Sequence, residues 1–261
     1  MVFGTELDRA TMQNSLPSSM GGSPFDLSVS ELAVSPLDLN PSVDSSAPVP
    51  SKDEELINFL THGGGFLLAV VGAFVIFSSV AGHDSLAMRL SCRLYAAMLI
   101  ALYAASTLSH SSASPDRRRF YRSLDQGVIF MFIAANFTPF AVGHLSDPVR
   151  WLVLSAMWTL ALVGFSSKVF WKHQVESISI WHYLALGWLP ALVIVPIVQS
   201  LPLEATVLFA AGGMCYTIGT IFLAMDDRVR YFHATWHLLV IAGSACHFWV
   251  VITWVASVHN I

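Results

Sequence analysis

The sequence contains few charged residues. Only 11% of its 261 residues are Asp, Glu, Lys or Arg, and 55% are hydrophobic, whereas soluble domains usually carry about 25% charged residues. The formal net charge is −4, so the chain also lacks the basic surface that nucleic-acid binding requires. This composition excludes a chain that is disordered throughout, and it predicts no nucleic-acid partner. It indicates that most of the protein lies in lipid.

Cysteine is scarce as well. The three cysteines, Cys92, Cys215 and Cys246, each lie in an apolar run, and no CxxC spacing occurs. An odd number of cysteines without that spacing predicts neither a disulfide framework nor a thiolate metal site. We interpret them as small, polarizable core residues.

The first 52 residues lack the long apolar runs of the rest. They are rich in Ser and Pro, with six acidic residues and only two bases, Arg9 and Lys52. Without an apolar period this segment predicts a disordered cytosolic tail. It has no apolar core for a secretory signal and too many acids for a mitochondrial transit peptide. We therefore expect a tail over 1–52 and a membrane domain over 53–261.

The membrane domain contains seven apolar stretches long enough to cross a bilayer, which requires about 20 residues in a helix. They are too long and too uniformly apolar for barrel strands. The sequence thus predicts an all-α membrane protein, a bundle of seven transmembrane helices that is integral and multi-pass. The predicted spans are 59–80, 88–109, 125–144, 149–167, 180–199, 203–224 and 234–257.

The distribution of Lys and Arg predicts the orientation of this bundle. Ten of the thirteen bases lie on the side of the N-terminal tail, and only Arg89, Arg93 and Arg150 lie on the other side. Cytoplasmic segments carry the excess of positive charge. We therefore expect a cytosolic N-terminus and a C-terminus on the opposite side. The sequence does not distinguish the plasma membrane from an endomembrane.

Ionisable residues are rare in membrane spans and usually have a partner or a function. In this chain they gather where odd-numbered spans start and even-numbered spans end, which is the cytosolic level. His233 and His237 are spaced i, i+4, so they share one helix face and can reach one metal ion. Three imidazoles leave open the fourth position of a catalytic zinc site. The residues at this level are Glu54, Glu55, His62, Ser106, His110, Asp125, His233 and His237.

Each of these residues also has a simpler interpretation. His110 alone could bond a lipid phosphate or a backbone carbonyl, and Asp125 could cap the third span. Ser106 could bond back to its own helix. Their convergence at one depth nevertheless favours a metal site, with Asp125 as a proton-transfer group and Ser106 as a hydrogen-bond donor or acceptor beside it.

Other polar and small residues receive separate predictions. His247 lies about 15 Å deeper than His237, so we expect it to be hydrogen-bonded inside the bundle. The glycines are expected to permit close helix approach, and the arginines to form a basic cytosolic loop. Surface or interfacial positions are expected for five further histidines. The residues concerned are Gly63, Gly64, Gly65, Gly212, Gly213 and Gly219; Arg117, Arg118, Arg119 and Arg122; and His83, His144, His173, His182 and His259.

Several separated motifs follow one another along the chain. They are Glu55–Gly63, Ser106–His110, Leu124–Gln126 with Phe137–Phe140, Tyr183–Trp188, Gly212–Gly219, His233–His237 and Gly243–Phe248. In this order they resemble the hemolysin III branch of the progestin and adipoQ receptor family, which looks related to alkaline ceramidases. The resemblance covers about residues 54–257. It implies seven helices around a zinc ion near the cytosol, with His110, His233 and His237 as ligands and Ser106 and Asp125 beside them.

Two functions remain open at this stage. The open zinc position and Asp125 favour a zinc-dependent hydrolase of a lipid amide, such as a ceramide-like molecule, or of an ester. The alternative is a seven-helix receptor or sensor in which zinc is structural and a lipid ligand shifts the bundle between two states. A dedicated pore is disfavoured because the spans carry too few polar residues to line a channel. Membrane lipids are the expected partners, and the sequence identifies no protein partner.

Overall fold

The protein is an all-α membrane protein. The computed structural model describes residues 51–171 and 180–256, so residues 1–50 of the predicted tail, His173 and His259 lie outside the described residues. Within them, seven helical segments are long and apolar enough to cross a membrane, which confirms the predicted number of spans and their order along the chain. They are α1 (Lys52–Ser79), α2 (Leu86–Ser111), α3 (Pro115–His144), α4 (Asp147–Phe170), a broken fifth span built from α5 (Ile180–Trp188) and α6 (Ile194–Ser200), α7 (Leu203–Ala224), and α8 (Phe232–Val250), which continues as a π-helical turn over Val251–Val255.

A capping box fixes the start of α1. The Ser51 hydroxyl accepts a hydrogen bond from the Glu54 N–H at 3.3 Å, and the Glu54 carboxylate accepts one from the Ser51 N–H at 2.9 Å. These reciprocal bonds satisfy backbone donors that a helix start otherwise leaves free. They place Glu54 and Glu55 in the first helical turn, with His62 two turns further on.

Helix α3 begins ten residues earlier than the sequence predicted. Pro115 occupies its first turn, where a missing N–H is harmless, and the polar stretch after it is helical. The expected basic loop of Arg117, Arg118, Arg119 and Arg122 was therefore wrong, because all four belong to α3. Asp125 lies within the helix, so it does not cap the third span.

The fifth span is not one regular helix. Leu189–Val193 form a 3₁₀ segment between α5 and α6. Pro190 lies in that segment and Pro196 in α6, and proline lacks the N–H that an α-helical ladder requires. The sequence placed both prolines in this span, but it did not predict where the helix would break.

Helix packing brings the first and the last helix of the membrane domain into contact. Consecutive helices α1 to α4 pack side by side, α7 packs on α8, and α8 also packs on α1. The start of α1, the end of α2 and the start of α8 consequently meet at one end of the bundle. This arrangement positions the candidate site.

Some of the glycines permit close helix contacts. A Cβ atom at Gly65 would lie 2.8 Å from the Tyr103 ring, and one at Gly219 would lie 2.6 Å from the Trp236 ring. One at Gly212 would lie 2.3 Å from the His247 ring. The same prediction was wrong for three others: Gly64 and Gly213 face open space, and Gly63 has only an ordinary contact at 3.8 Å.

Candidate metal centre

Three histidines from two distant helices meet at the end of the bundle where α1 starts. His110 comes from the last turn of α2, and His233 and His237 come from the first two turns of α8. One potential ligand atom of each lies within 4.8 Å of the others. The ring centroids are 5.1 Å apart for His110 and His233, 5.2 Å for His110 and His237, and 4.5 Å for His233 and His237. The structure thus brings together the three residues that the sequence named as ligands.

Two of these rings are held on one side by carboxylates. Nδ1 of His110 lies 2.8 Å from Glu55 Oε2, and Nδ1 of His233 lies 2.7 Å from Asp226 Oδ2. An ionised carboxylate only accepts hydrogen bonds, so each Nδ1 donates its proton and each Nε2 carries a free lone pair. Both Nε2 atoms are buried, and neither has a hydrogen-bond partner in the described parts of the chain.

The third ring is held by a hydroxyl. Nδ1 of His237 lies 3.1 Å from Thr61 Oγ1. That hydroxyl donates its proton towards two backbone carbonyls, that of Ile57 at 2.9 Å and that of Asn58 at 3.0 Å. Its oxygen is therefore the acceptor for a proton on Nδ1 of His237. His62 adds a face-to-face contact, with its ring centroid 3.5 Å from that of His237.

The donor set of this site fits zinc. Zinc favours tetrahedral coordination by neutral imidazole nitrogens, and catalytic sites keep one position for water or substrate. In metal sites the other ring nitrogen usually donates to a carboxylate or another acceptor, which is the pattern at all three histidines. Two unpartnered, buried Nε2 atoms are otherwise unfavourable in a low-polarity interior.

Asp125 and Ser106 lie beside the three histidines. Asp125, on α3, is close enough to His233 and Arg122 for electrostatic interaction, and it lies next to the Ser106 hydroxyl. The Ser106 hydroxyl is buried and lies within hydrogen-bonding reach of the Asp125 carboxylate. Ser106 does not bond back to its own helix.

A large cavity leads from the three histidines into the bundle. Its volume is about 1150 Å³, and Ser106, His110, Asp125, His233 and His237 all line it. Towards the middle of the bundle its walls become apolar, with residues from α3, the broken fifth span and α7. Examples are Ile133, Phe137, Ile194, Val198, Phe209 and Met214.

Four other histidines of the described residues do not join the site. His247 is buried; its Nε2 donates to the Phe209 carbonyl at 2.9 Å, and its Nδ1 accepts from the Asn136 amide at 2.7 Å, as predicted. His182 is exposed, and His144 bonds Ser200 at 2.8 Å. His83 is buried and accepts from the Ser85 N–H, which excludes the surface position among the two, surface or interfacial, that the sequence predicted.

The sequence did not assign a role to three of the surrounding residues. Glu55 was placed at the cytosolic level without a partner, whereas Asp226 and Thr61 received no prediction. Thr61 directly precedes His62, and Asp226 lies seven residues before His233, outside the predicted span. The approach of α1 to α2 and α8 gives Glu55 and Thr61 their partners, whereas Asp226 meets His233 across the turn between α7 and α8.

Seven membrane-spanning helices in the described residues and a histidine cluster that could hold a metal ion define a multi-pass membrane protein with a candidate metal centre at one end of its helix bundle. The chain belongs to the haemolysin-III-related family, whose model matches residues 51–248, which confirms the resemblance. It is 32% identical to Hemolysin-3 of Bacillus cereus over 202 residues, covering 77% of this chain and 92% of the relative. It is 31% identical to the Hemolysin-3 homolog of Bacillus subtilis (78% and 96% coverage) and 26% identical to the human Monocyte to macrophage differentiation factor (77% and 84%).

Proposed function

We propose that the protein is a zinc-dependent intramembrane hydrolase of a lipid amide, such as a ceramide-like molecule, or of a lipid ester. One observation carries this proposal: Asp125 and the buried Ser106 hydroxyl lie beside the three histidines, at the polar end of a cavity with mostly apolar walls. That combination supplies a polar reaction centre next to a space suited to hydrocarbon chains.

Zinc would be held by His110, His233 and His237. When bound there, it supplies Lewis-acid polarisation of a carbonyl group and acidification of water. The protein's own contribution is to present three neutral imidazoles, because their Nδ1 protons are directed outwards to Glu55, Asp226 and Thr61.

Asp125 is the proposed proton carrier. In the reaction, a water oxygen bonds to the substrate carbonyl carbon while the Asp125 carboxylate takes one proton from that water. The C–N bond of the amide then breaks, and Asp125 returns the proton to the leaving nitrogen. The products are a fatty acid and an amine, or an alcohol when the substrate is an ester.

Ser106 is the proposed donor to the substrate. Its hydroxyl is buried beside Asp125, and by rotating about its C–O bond it can donate to the substrate carbonyl oxygen, on which negative charge develops. The apolar cavity walls would hold the acyl chain and keep bulk water from the reaction centre. The length of acyl chain that fits in the cavity would then help to select the substrate.

The experiment compares detergent-purified protein with three variants. Wild type, His237→Ala, Asp125→Asn and the control Asp84→Asn, an exposed acid in the turn between α1 and α2, are assayed for bound zinc and for cleavage of a panel of ceramides and lipid esters. We expect zinc and cleavage in wild type and control, and loss of both in His237→Ala. Asp125→Asn should retain zinc and lose roughly 10²–10⁴-fold in rate, the usual contribution of general acid–base catalysis.

The same comparison separates hydrolase from receptor. Zinc in wild type without cleavage of any lipid above the His237→Ala background would contradict the hydrolase and support the receptor or sensor with structural zinc. If wild type binds no more zinc than His237→Ala, the result contradicts the proposed metal site itself.

A further inference from the structure

Helix α1 supplies none of the three histidines, yet it contacts two of them. Glu55, in its first turn, bonds Nδ1 of His110, and Thr61, less than two turns later, bonds Nδ1 of His237. In both cases the contacted nitrogen is the one on the far side of the ring from Nε2. Helix α1 therefore determines which edge of each ring faces the centre of the site.

Glu55 is held in place from two sides. Its Oε2 bonds His110, and its Oε1 accepts a hydrogen bond from the Arg118 guanidinium on α3. With both oxygens engaged, the carboxylate cannot turn without breaking one contact. Glu55 thus links α1, α2 and α3, and it fixes His110 in the tautomer that has a free lone pair on Nε2.

Asp226 plays the corresponding part for His233. It lies in the turn between α7 and α8, and its Oδ2 bonds Nδ1 of His233 at 2.7 Å. The turn is tied back to α1, because Glu54 Oε1 accepts from the Tyr231 N–H at 3.2 Å. Tyr231 is held with φ of 65°, the one positive φ at a non-glycine residue in the described chain, directly before α8.

Charge makes the two carboxylates more than orienting groups. Three neutral imidazoles bring no charge to a divalent cation, and an uncompensated charge away from water is strongly unfavourable. Glu55 and Asp226 together carry two negative charges, and each carboxylate is one hydrogen bond away from a histidine of the site. Arg118 has a side chain that is 38% exposed, compared with 18% for Glu55, so water screens its charge more effectively.

We propose that Glu55 and Asp226 are positioning residues for the metal ligands, each acting through one imidazole and together balancing the charge of a divalent ion. This inference rests on the zinc binding in the proposed function, but not on the hydrolysis of any lipid. Outer partners of metal-bound histidines typically contribute roughly 10–100-fold to metal affinity.

The test measures metal affinity in the full-length protein in detergent. The variants are Glu55→Gln, Glu55→Ala and Asp226→Asn, and the controls are Asp53→Asn and Asp227→Asn, exposed acids in the same two segments. Zinc affinity is measured by competition with a chromogenic chelator. The visible absorption spectrum of the cobalt-substituted protein reports the ligand geometry.

We expect Glu55→Ala to weaken zinc binding by roughly 10–100-fold, and both isosteric amides to weaken it by an intermediate factor. An amide oxygen still accepts from the imidazole, but it brings no charge. The cobalt spectrum should change in Glu55→Ala, which leaves the His110 ring unheld, whereas both controls match wild type. A purely structural role would lower thermal stability without changing the spectrum.

Two results would overturn the inference. One is wild-type affinity and spectrum in Glu55→Gln, Glu55→Ala and Asp226→Asn while His237→Ala loses the metal. The other is no zinc binding in wild type, which contradicts the proposed function as well. If zinc binding follows the expected order but no lipid is cleaved, the positioning role stands and only the hydrolase proposal fails.

Discussion

The ring of His62 lies flat against the ring of His237, with centroids 3.5 Å apart and planes inclined by 20°. His62 is buried, and both of its nitrogens lack a hydrogen-bond partner in the described residues. The Tyr103 ring stands nearly perpendicular to it, with the centroids 5.1 Å apart. The contact with His237 is therefore one of ring faces, and it restricts the orientation of the His237 ring.

The first prediction concerns that ring contact. His62→Ala removes the stacked partner of His237, and aromatic pairs contribute about 0.5–1.5 kcal/mol. We expect zinc affinity to fall by roughly 2–12-fold, because this free energy converts at 1.4 kcal/mol per factor of ten. His62→Phe keeps a flat ring without nitrogens and should bind zinc within about twofold of wild type. A large loss in His62→Phe, measured by chelator competition, would show that the nitrogens of His62 matter instead.

A second prediction uses two adjacent glycines in α7. In Gly212→Ala the new methyl group would lie 2.3 Å from the His247 ring and 3.1 Å from the Gly243 carbonyl. Overpacking of this kind costs about 1–3 kcal/mol, so thermal unfolding in detergent should occur at a lower temperature. Gly213→Ala meets nothing within 4 Å and should be neutral or slightly stabilising, because alanine favours helix. Equal effects of the two substitutions would contradict the close packing of α7 on α8.

A third prediction separates the buried histidine His247 from the metal centre. His247→Phe leaves the Phe209 carbonyl and the Asn136 amide without their partner, at a cost of about 1–3 kcal/mol. Stability should fall while bound zinc stays at the wild-type level, because His247 lies about 15 Å along the helix from His237. His182→Phe, at an exposed position, is the matched control and should change neither quantity. Loss of zinc in the His247 variant would show that the two regions are coupled.

A fourth prediction concerns orientation. Tags at the two chain ends should lie on opposite sides, because seven spans is an odd number. The excess of Lys and Arg on the side of α1's start predicts that the N-terminal tag is cytosolic. In sealed vesicles whose cytosolic face is inside, protease should remove the C-terminal tag, and the N-terminal tag only after permeabilisation. The reverse pattern would place the histidine cluster at the opposite leaflet.

Much of the fold was predictable because membrane spans follow composition. A helix needs about 20 apolar residues to cross a bilayer, so the spans formed by α1, α2 and α7 are each recognisable from their own sequence. The start of α3 was not, since Pro115 and the arginines after it form a polar helical extension that composition alone does not distinguish from a loop. The break in the fifth span depends on how Pro190 is accommodated, which hydropathy does not report.

The site was predictable in part for the same reason. Consecutive spans cross the membrane in alternating directions, so the end of α2 and the start of α8 lie at one depth. His110, His233 and His237 are therefore predicted at the same level. Depth does not determine which side chains touch, and the bond between Glu55 and His110 depends on the rotation of α1 and α2 about their axes. Asp226 lies in a turn that no periodicity describes. The residues that orient the histidines therefore became visible only in the packed helices.

His110 belongs to the second span, whereas His233 and His237 belong to the last. A ribosome completes α2 long before it completes α8, and protein segments synthesised first also begin to fold first. A nascent chain that has inserted six spans therefore contains one of the three imidazoles. The complete histidine cluster forms only after the last span has been made, and a chain that terminates before that span would lack two of its three rings.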